Sequence, residues 1–362
     1  MKKIFCPLIV TLTVLLFTSC QKIDINDDPT AITTVQQDKD YINQTSNETV
    51  TCIRGVENGI FTQTLVKFLG MVNGNFNNEN WTDSIADGLD IAAGTIQLDS
   101  INDKFNYNAY KGNYNWNRLN RTFVRTASNS INVNFPSEPN QLLNNMSFKF
   151  TNYTDGLYQI NALNKYLPTM AKATIDKNGE QIASIDYSAV FGSGNFPTPN
   201  NVVLTIFLKP HTYRITISKI NNLQFGFKIE LGGLCNGVAQ GKVTFLNDDY
   251  NNLDIEQDLK NVELTYTSET LKVITNWNAQ AYYAFTNPTT TNTNSTFTSN
   301  MYKNDTKIGE LKFKDLPNGD TKVFIYYKDG TSDNVDVYTN TFTTQLKNIL
   351  RPYFGNDVDN WF

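Results

Sequence analysis

Apolar residues recur at spacings of three and four in two stretches near the start of the chain. The first stretch runs from Glu48 to Asn73 and the second, weaker one from Ser84 to Leu98. This spacing predicts amphipathic helices with one apolar face. Glycines at positions 55, 59 and 70 weaken the first helix, so a break within it is expected. The apolar positions of the first stretch are Val50, Ile53, Val56, Ile60, Phe61, Leu65, Phe68, Leu69 and Val72.

From Phe105 onward the spacing changes to an alternation of apolar and polar residues. Alternation with period two is typical of antiparallel strands that are buried on one face. Asn178-Gly179, which separates two alternating runs, predicts a tight hairpin turn. The predicted strands include residues 105–109, 114–116, 131–135, 146–150, 172–176, 181–187, 202–208, 213–217, 224–231 and 242–246.

The last third of the chain mixes both patterns. We expect a helix over 252–264, a Thr- and Asn-rich loop or linker over 286–298, and a short helix over 342–353. Hairpins are predicted at 302–311 and around Asp329-Gly330. The first of these repeats part of the earlier hairpin, either through duplication or because the same turn chemistry recurs.

These patterns predict an α+β fold, mainly an antiparallel β-sheet meander with a few covering helices. We expect a helix-plus-strand region over 47–165 and an antiparallel β-rich region over 166–362, unless 47–362 forms one domain. Residues 20–46 are polar and predict a flexible tether.

The first nineteen residues predict a lipoprotein signal peptide. Met1-Lys2-Lys3 is basic, and an apolar run too short to span a bilayer follows it. Phe17-Thr18-Ser19-Cys20 resembles the bacterial lipobox, although the usual Leu is replaced by Phe17. This resemblance implies cleavage before Cys20 and attachment of a diacylglycerol to its thiol. The alternative is an ordinary secretory signal, or an uncleaved anchor, with an incidental cysteine.

A second resemblance concerns the residues after the cysteine. Gln21 to Asp28 forms a short acidic segment, and the asparagine-rich run at 112–117, followed by Val133-Asn134-Phe135-Pro136-Ser137, looks like a pattern in Bacteroidetes outer-membrane lipoproteins. The resemblance implies a lipid-anchored protein of the outer membrane, periplasmic or surface-exposed. The class often captures ligands, and it implies no reaction.

Charge and cysteine content narrow the function classes. Without Lys2 and Lys3, the mature chain has 28 basic and 35 acidic residues, a net charge of about −7, and no basic cluster, which excludes nucleic acid as a partner. Cys52 and Cys235 remain as either one disulfide or two buried thiols. With no CxxC pair and one histidine, a zinc or iron–sulfur cofactor is not expected.

Few residues suggest catalysis. His211, the single histidine, lies beside a proline and predicts an edge or turn residue. The densest acidic group, Asp248, Asp249, Asp254, Glu256 and Asp258, predicts a solvated loop and helix start, or a loosely held calcium. Arg118, Arg121 and Arg125 predict a solvated strand or turn face. Tyr107, Tyr110, Tyr114 and Trp116 lie close together among asparagines and predict either the core face of a sheet or a glycan-stacking surface.

The leading hypothesis is therefore a non-enzymatic, lipid-anchored envelope protein that binds a glycan, a lipid or a protein partner and needs no cofactor. A carboxylate-dependent, glycosidase-like hydrolase is the rival, because paired carboxylates can hydrolyse glycosides and leave no sequence motif. A structural surface protein without a small ligand is the third hypothesis.

Overall fold

The computed structural model describes residues 33–94, 104–194, 196–268 and 271–361. The predicted signal peptide, Cys20 and residues 20–32 of the predicted tether lie outside the described residues. The chain forms two compact units. Unit 1 comprises the described residues within 33–55 and 216–346, and unit 2 comprises those within 56–215 and 347–361. The predicted boundary near residue 165 falls inside a strand of unit 2.

Strands account for 47% of the described residues and helices for 29%. The helices are α1 (Val35–Glu57), α2 (Ile60–Leu69), α3 (Glu79–Ala93), α4 (Tyr107–Tyr110), α5 (Ile255–Asp258), α6 (Ala279–Tyr283), α7 (Thr290–Thr296) and α8 (Asp336–Phe354), and a 3₁₀ helix spans Gly355–Asn360. The strands are β1 (Met71–Val72), β2 (Asn75–Phe76), β3 (Gly112–Asn117), β4 (Thr122–Thr126), β5 (Ile131–Phe135), β6 (Met146–Ile160), β7 (Leu163–Lys177), β8 (Glu180–Phe191), β9 (Pro199–Leu208), β10 (His211–Asn221), β11 (Gln224–Gly232), β12 (Gly237–Phe245), β13 (Leu259–Ser268), β14 (Leu271–Asn278), β15 (Phe297–Lys303), β16 (Thr306–Asp315), β17 (Thr321–Tyr327) and β18 (Ser332–Asn334).

Unit 1 is an antiparallel meander in which β11 to β18 pair in chain order. Alternate side chains of these strands point to one face and are buried there, as the period of a strand requires. Helix α1 covers this face with Tyr41 and Ile42, and Tyr338 at the start of α8 joins the same core. The strand residues of the core include Leu264, Tyr266, Leu271, Val273, Met301, Ile308, Leu311, Phe313 and Ile325.

Unit 2 departs from the predicted meander at one place. Its strand order is β4–β3–β5–β6–β7–β8–β9, and β3 pairs with β5 in parallel. Two side-chain bonds fix this register, since Asn132 Nδ2 donates to Asn113 Oδ1 at 2.6 Å and Asn134 Nδ2 donates to Asn115 Oδ1 at 2.9 Å. The remaining pairs of the unit are antiparallel, so the broad expectation of an antiparallel-dominated sheet is confirmed and the simple meander is not.

The core of unit 2 lies between α3 and strands β3 to β6. Ile85 of α3 is buried against side chains from β3, β4 and β5. Gly88 lets the helix approach closely, because a Cβ atom there would lie 2.9 Å from the Trp116 ring and 3.3 Å from the backbone of Thr122. The strand residues of this core are Tyr114, Trp116, Phe123 and Val133.

The hairpin turn predicted at Asn178-Gly179 is confirmed. Lys177 pairs with Glu180, and both turn residues have positive φ, +53° and +82°. This is the two-residue turn whose twist matches antiparallel strands. The predicted break in the first helix is also present, because α1 ends at Glu57 and α2 begins at Ile60.

Four predictions of local structure were wrong. Residues 105–109 were expected to form a strand, but residues 107–110 form α4, which begins where the Asn106 side chain accepts from the backbone N–H of Ala109. The predicted tether extended to residue 46, but α1 begins at Val35 because Tyr41 and Ile42 have apolar partners in the sheet. Residues 252–264 were expected to be helical, yet only α5 is, and β13 starts at Leu259 since its alternate residues are buried. The loop expected over 286–298 contains α7, which a Thr289–Asn292 capping box initiates.

A disulfide joins Cys52 of α1 to Cys235, between β11 and β12, with a Cα–Cα distance of 5.6 Å. The sequence left open whether these cysteines form one disulfide or remain two buried thiols, and in the structure they form the disulfide. The two cysteines are 183 positions apart in the sequence, and both belong to unit 1. Their disulfide links the covering helix α1 to the β11–β12 connection of the sheet. Cross-links of long loops stabilise chiefly by restricting the unfolded chain.

We expect the Cys52→Ala/Cys235→Ala double variant to lose about 2–5 kcal/mol of unfolding free energy, because the unfolded chain regains its freedom. Urea unfolding followed by circular dichroism measures this loss. Reduced wild-type protein is the matched control and should unfold at the same urea concentration as the variant. Equal midpoints for oxidised wild type and variant would contradict a stabilising bridge.

Candidate functional site

The four aromatic residues singled out in the sequence do not form one exposed platform. Tyr114 and Trp116 project from the core face of β3, where Tyr114 is fully buried and Trp116 is 6% exposed. The Tyr114 hydroxyl donates to the backbone oxygen of Tyr110 at 2.7 Å. Strand alternation explains this placement, because residues 112, 114 and 116 share the face that α3 covers. Tyr114 and Trp116 therefore lie on the core face of the sheet, which is one of the two alternatives that the sequence predicted, and not on a glycan-stacking surface.

Tyr107 and Tyr110 belong to a cluster of packed rings beside β6. Tyr110 stacks on Phe105, with centroids 5.6 Å apart and planes 6° apart. The Tyr107 hydroxyl donates to the backbone oxygen of Phe150 at 2.7 Å, and its ring packs edge-on against Phe150. Both tyrosines are half-buried, so their faces are largely used within the protein.

A cavity of about 390 Å³ lies in unit 2 at the end of β3. Its volume falls in the range of ordinary small-ligand sites. Three segments form it, namely the first turns of α3, the β3–β4 turn and the loop that follows β5. The lining residues are Asn80, Trp81, Ser84, Trp116, Arg118, Arg121, Pro136, Pro139, Asn140 and Gln141.

Two tryptophans give the cavity an aromatic wall. Trp81 packs edge-to-face on Trp116, with centroids 5.6 Å apart and planes at 88°. Trp116 is held in turn by Phe123, at 5.2 Å, and by the close approach of Gly88. Trp81 keeps part of its ring exposed, whereas Trp116 is almost fully enclosed. The wall is therefore a rigid pair in which Trp81 offers the accessible ring.

Both indole N–H groups of this pair are buried without a hydrogen-bond acceptor among the residues that the structure describes. A buried donor without a partner costs roughly 1–3 kcal/mol, and such groups are uncommon in native proteins. The aromatic wall therefore holds two donors without acceptors, and neither nitrogen is open to solvent in the cavity.

The lining of the cavity carries positive charge and no carboxylate. Arg118 and Arg121 lie on the β3–β4 turn, and Arg118 Nη1 contacts the backbone oxygen of Gln141 at 3.5 Å. Glu138, on the loop that follows β5, forms an ion pair with Lys67 at 3.9 Å. The sequence predicted that these arginines form a solvated strand or turn face. It did not point to Trp81, because the helical pattern around this residue is weak.

Arg125, the third arginine of that run, has a structural role. Its Nη2 atom donates to the backbone oxygens of Ala109 and Lys111 at 2.6 and 2.8 Å, and its guanidinium lies over the Tyr114 ring at 5.4 Å.

A second, more open groove of about 480 Å³ lies on the polar face of unit 1, across β10 to β13. Its charged side chains are paired, since Lys242 contacts Glu263 at 3.0 Å and Lys228 contacts Glu230 at 2.6 Å. Glu263 is the single carboxylate among its lining residues. Charge pairs of this kind on an exposed sheet face are ordinary surface interactions.

The acidic group and the histidine both serve local structure. Asp254 accepts from the Glu256 backbone and from Gln257 Nε2 at 3.0 and 2.9 Å, and Asp258 accepts from the Asp254 backbone at 2.8 Å. His211 was predicted to be an edge or turn residue, and it is the fully buried first residue of β10, directly after the turn at residues 209–210. Within the described ranges no group of three or more His, Cys, Asp or Glu residues is arranged to hold a metal ion.

A buried polar network anchors the start of the described chain in unit 1. The hydroxyls of Tyr327 and Tyr338 lie 2.6 Å apart, and Tyr338 donates to Asp333 Oδ2 at 2.7 Å. Lys39 of α1 completes the network with an ion pair to Asp333 at 2.9 Å. Burial opposes ionisation of Asp333, but hydrogen bonds from Tyr338 and Lys39 prevail and lower the pKa of this carboxyl group. Burial raises the pKa of both tyrosines.

The comparisons with known proteins give no functional lead. No protein-family model matches the chain. Searches of curated proteins and of solved structures likewise return no match. Across the described ranges, no helix combines the length and the apolarity that a membrane span requires.

The lowered pKa of Asp333 predicts a pH-dependent contribution to stability. An unfolded aspartate titrates near about pH 3.9, so the contribution of Asp333 is fully present above that value. It is lost as the pH falls through the lower folded-state pKa. We expect Asp333→Asn to cost about 1–2 kcal/mol at pH 7, and this difference should shrink below about pH 4.

Urea midpoints of wild type and variant, measured between pH 7 and pH 3, test this expectation. Asp320→Asn, at an exposed position of the β16–β17 turn, is the matched control. A difference between wild type and Asp333→Asn that stays constant down to pH 3 would contradict the assigned ionisation.

Proposed function

We propose that this protein is a lipid-anchored protein of the outer membrane that binds a glycan in the cavity of unit 2. The anchor rests on the resemblance of Phe17-Thr18-Ser19-Cys20 to a lipobox. The glycan assignment rests on one observation, namely a cavity in which a packed tryptophan pair is surrounded by amide and hydroxyl side chains.

The chemistry of a sugar fits this lining. A pyranose presents an apolar face of C–H groups, which packs on an aromatic ring such as that of Trp81, and a rim of hydroxyl groups. Those hydroxyls both donate and accept, so they suit the amide side chains of Asn80, Asn140 and Gln141. Two prolines border the cavity and add further apolar surface.

Binding fits the cavity better than hydrolysis. Glycoside hydrolysis needs two carboxyl groups that face each other across the sugar. None of the ten residues that line the cavity in unit 2 is acidic, and the groove in unit 1 contributes Glu263 alone, which is paired with Lys242. We therefore assign no catalytic residue and no cofactor. A cavity of this size also favours a small ligand over a purely structural role.

The proposed ligand site differs from the platform that the sequence suggested. Of the four aromatic residues considered there, Trp116 alone lines the cavity. Trp81, 35 positions earlier in the chain, provides the accessible ring, and Trp116 holds it in place.

The anchor predicts that Cys20→Ala releases the protein from the membrane fraction after a high-salt wash, because the acyl chains supply most of the membrane affinity. Fractionation of cells that express wild type or variant measures this. Cys6→Ala, within the leader, is the matched control and should leave the protein on the membrane. Equal retention of wild type and Cys20→Ala would contradict the anchor. Protease shaving of intact cells then assigns the face of the membrane.

The ligand site predicts a loss of glycan binding in Trp81→Ala, since the accessible ring is removed. The probe is a printed array of defined neutral and acidic oligosaccharides, and we expect at least tenfold weaker binding of any oligosaccharide that the wild type retains. Trp81→Phe keeps a smaller ring, so it should fall between wild type and Trp81→Ala.

Two control variants locate the site. Trp361→Ala removes a tryptophan that is half exposed and lies outside the cavity, and Tyr110→Ala tests the platform suggested by the sequence. Both should bind as the wild type does. Binding that Tyr110→Ala abolishes and Trp81→Ala leaves intact would move the site to the tyrosine cluster.

A further inference from the structure

The mouth of the cavity carries an unusual concentration of exposed leucine. Four large apolar side chains in the described ranges are more than 70% exposed, and three of them lie on the two loops that form this mouth. Leu119, at 93%, lies on the β3–β4 turn, and Leu142 and Leu143, at 77% and 71%, follow directly after Gln141. Exposed leucines that cluster in this way mark an interaction surface.

Side-chain amides hold both loops in defined conformations. Asn117 Oδ1 accepts from the backbone N–H groups of Leu119 and Asn120 at 3.0 and 3.3 Å, which fixes the β3–β4 turn. Asn145 and Ser137 bond each other across the base of the second loop, at 2.8 and 3.1 Å. The leucines are therefore presented on ordered turns.

The two loops also contact each other. Asn144 Nδ2, next to Leu143, donates to the backbone oxygen of Trp116 at 3.1 Å. Arg118, next to Leu119, contacts the backbone oxygen of Gln141, next to Leu142. The three leucines thus belong to one surface, which we call the leucine rim and define as Leu119, Leu142 and Leu143.

Positive charge accompanies the leucine rim. Arg118 and Arg121 flank the turn that carries Leu119, and the cavity behind it is lined by no acidic residue. Asp83 and Asp87 of α3 are exposed but do not line the cavity, and Glu138 is paired with Lys67. Apolar tips beside arginines match the interface of a bilayer, where acyl chains lie directly beneath phosphate groups.

We propose that the leucine rim inserts into a lipid bilayer that carries anionic headgroups, while Arg118 and Arg121 bind the lipid phosphates. A bilayer suits two separate turn tips better than a protein partner does, because a fluid interface needs no matching groove. Arginine suits phosphate because its planar guanidinium donates two parallel hydrogen bonds. This inference does not depend on Cys20 or on the glycan assignment.

Vesicle flotation with the mature chain from Gln21 onward tests the proposal, since that chain retains every described residue and carries no acyl anchor. The probes are vesicles of phosphatidylcholine alone and of phosphatidylcholine with phosphatidylglycerol. We expect binding to the anionic vesicles, at least tenfold weaker binding to neutral ones, and a decrease in binding as salt is raised.

Variants separate the apolar and the charged contributions. Leu119→Ser/Leu142→Ser/Leu143→Ser should weaken binding at least tenfold at any salt concentration, and its fold should persist because these side chains are already exposed. Arg118→Gln/Arg121→Gln should weaken binding roughly tenfold at low salt and remove the salt dependence.

Matched controls carry the same changes elsewhere. Ile91→Ser alters the remaining side chain of comparable exposure, and Arg54→Gln/Lys260→Gln removes two exposed charges of unit 1. Both control variants should bind vesicles as the wild type does.

Three outcomes would overturn the proposal. The wild type could fail to float with any vesicle, the triple leucine variant could bind as tightly as the wild type, or soluble glycerol phosphate could displace the protein while the leucine substitutions have no effect. The last outcome would indicate a site for a free phosphate compound. The vesicles contain no sugar, so failure here leaves the glycan array result unaffected.

Discussion

Side chains of a β-strand alternate between two faces, and this constraint decides which strand residues form the cores of both units. Each unit has a sheet with one apolar face, and each must cover that face with helices. In unit 1, α1 and the first turn of α8 do so, and the Cys52–Cys235 disulfide ties α1 in place. In unit 2, α3 lies over β3 to β6, and Gly88 sets how closely it approaches.

The parallel pairing of β3 and β5 places the candidate site. The carboxyl ends of two parallel strands lie at the same end of a sheet, so the chain segments that follow β3 and β5 emerge side by side. Those segments are the β3–β4 turn, with its arginines, and the loop that begins at Pro136. Asparagine pairs on the other face of the strands fix this register. The cavity therefore depends on amide side chains that never contact it.

Much of the strand content could be predicted because alternation and turn chemistry are local signals. The turn at Asn178-Gly179 follows from residues that tolerate positive φ. The same conformation recurs at Asn161-Ala162 and Asn304-Asp305, so a shared turn preference suffices to explain similar hairpins. The β3–β5 pairing could not be predicted in this way, because antiparallel and parallel partners show the same alternation.

The errors share one physical cause, since tertiary partners decided between locally similar alternatives. The polar start of α1 has the composition of a tether. It is helical because Tyr41 and Ile42 pack against apolar side chains of the sheet. Residues 259–264 carry apolar groups at spacings that suit a helix or a strand, and burial on the core face selects the strand. The buried network of Asp333, Tyr327 and Tyr338 likewise joins residues that the sequence gives no reason to associate.

Local charge, rather than net charge, governs what the candidate site can recognise. The chain as a whole is acidic, which argues against a broad basic surface. Charges separated by more than about 8–10 Å are largely screened at physiological salt, so a ligand in the cavity responds to nearby charges, of which Arg118 and Arg121 line the cavity itself. Because these arginines lie beside exposed leucines and a tryptophan wall, one small region of unit 2 combines apolar, aromatic and cationic chemistry. An acidic protein can therefore carry, in one small region, the local chemistry on which our two binding proposals rest.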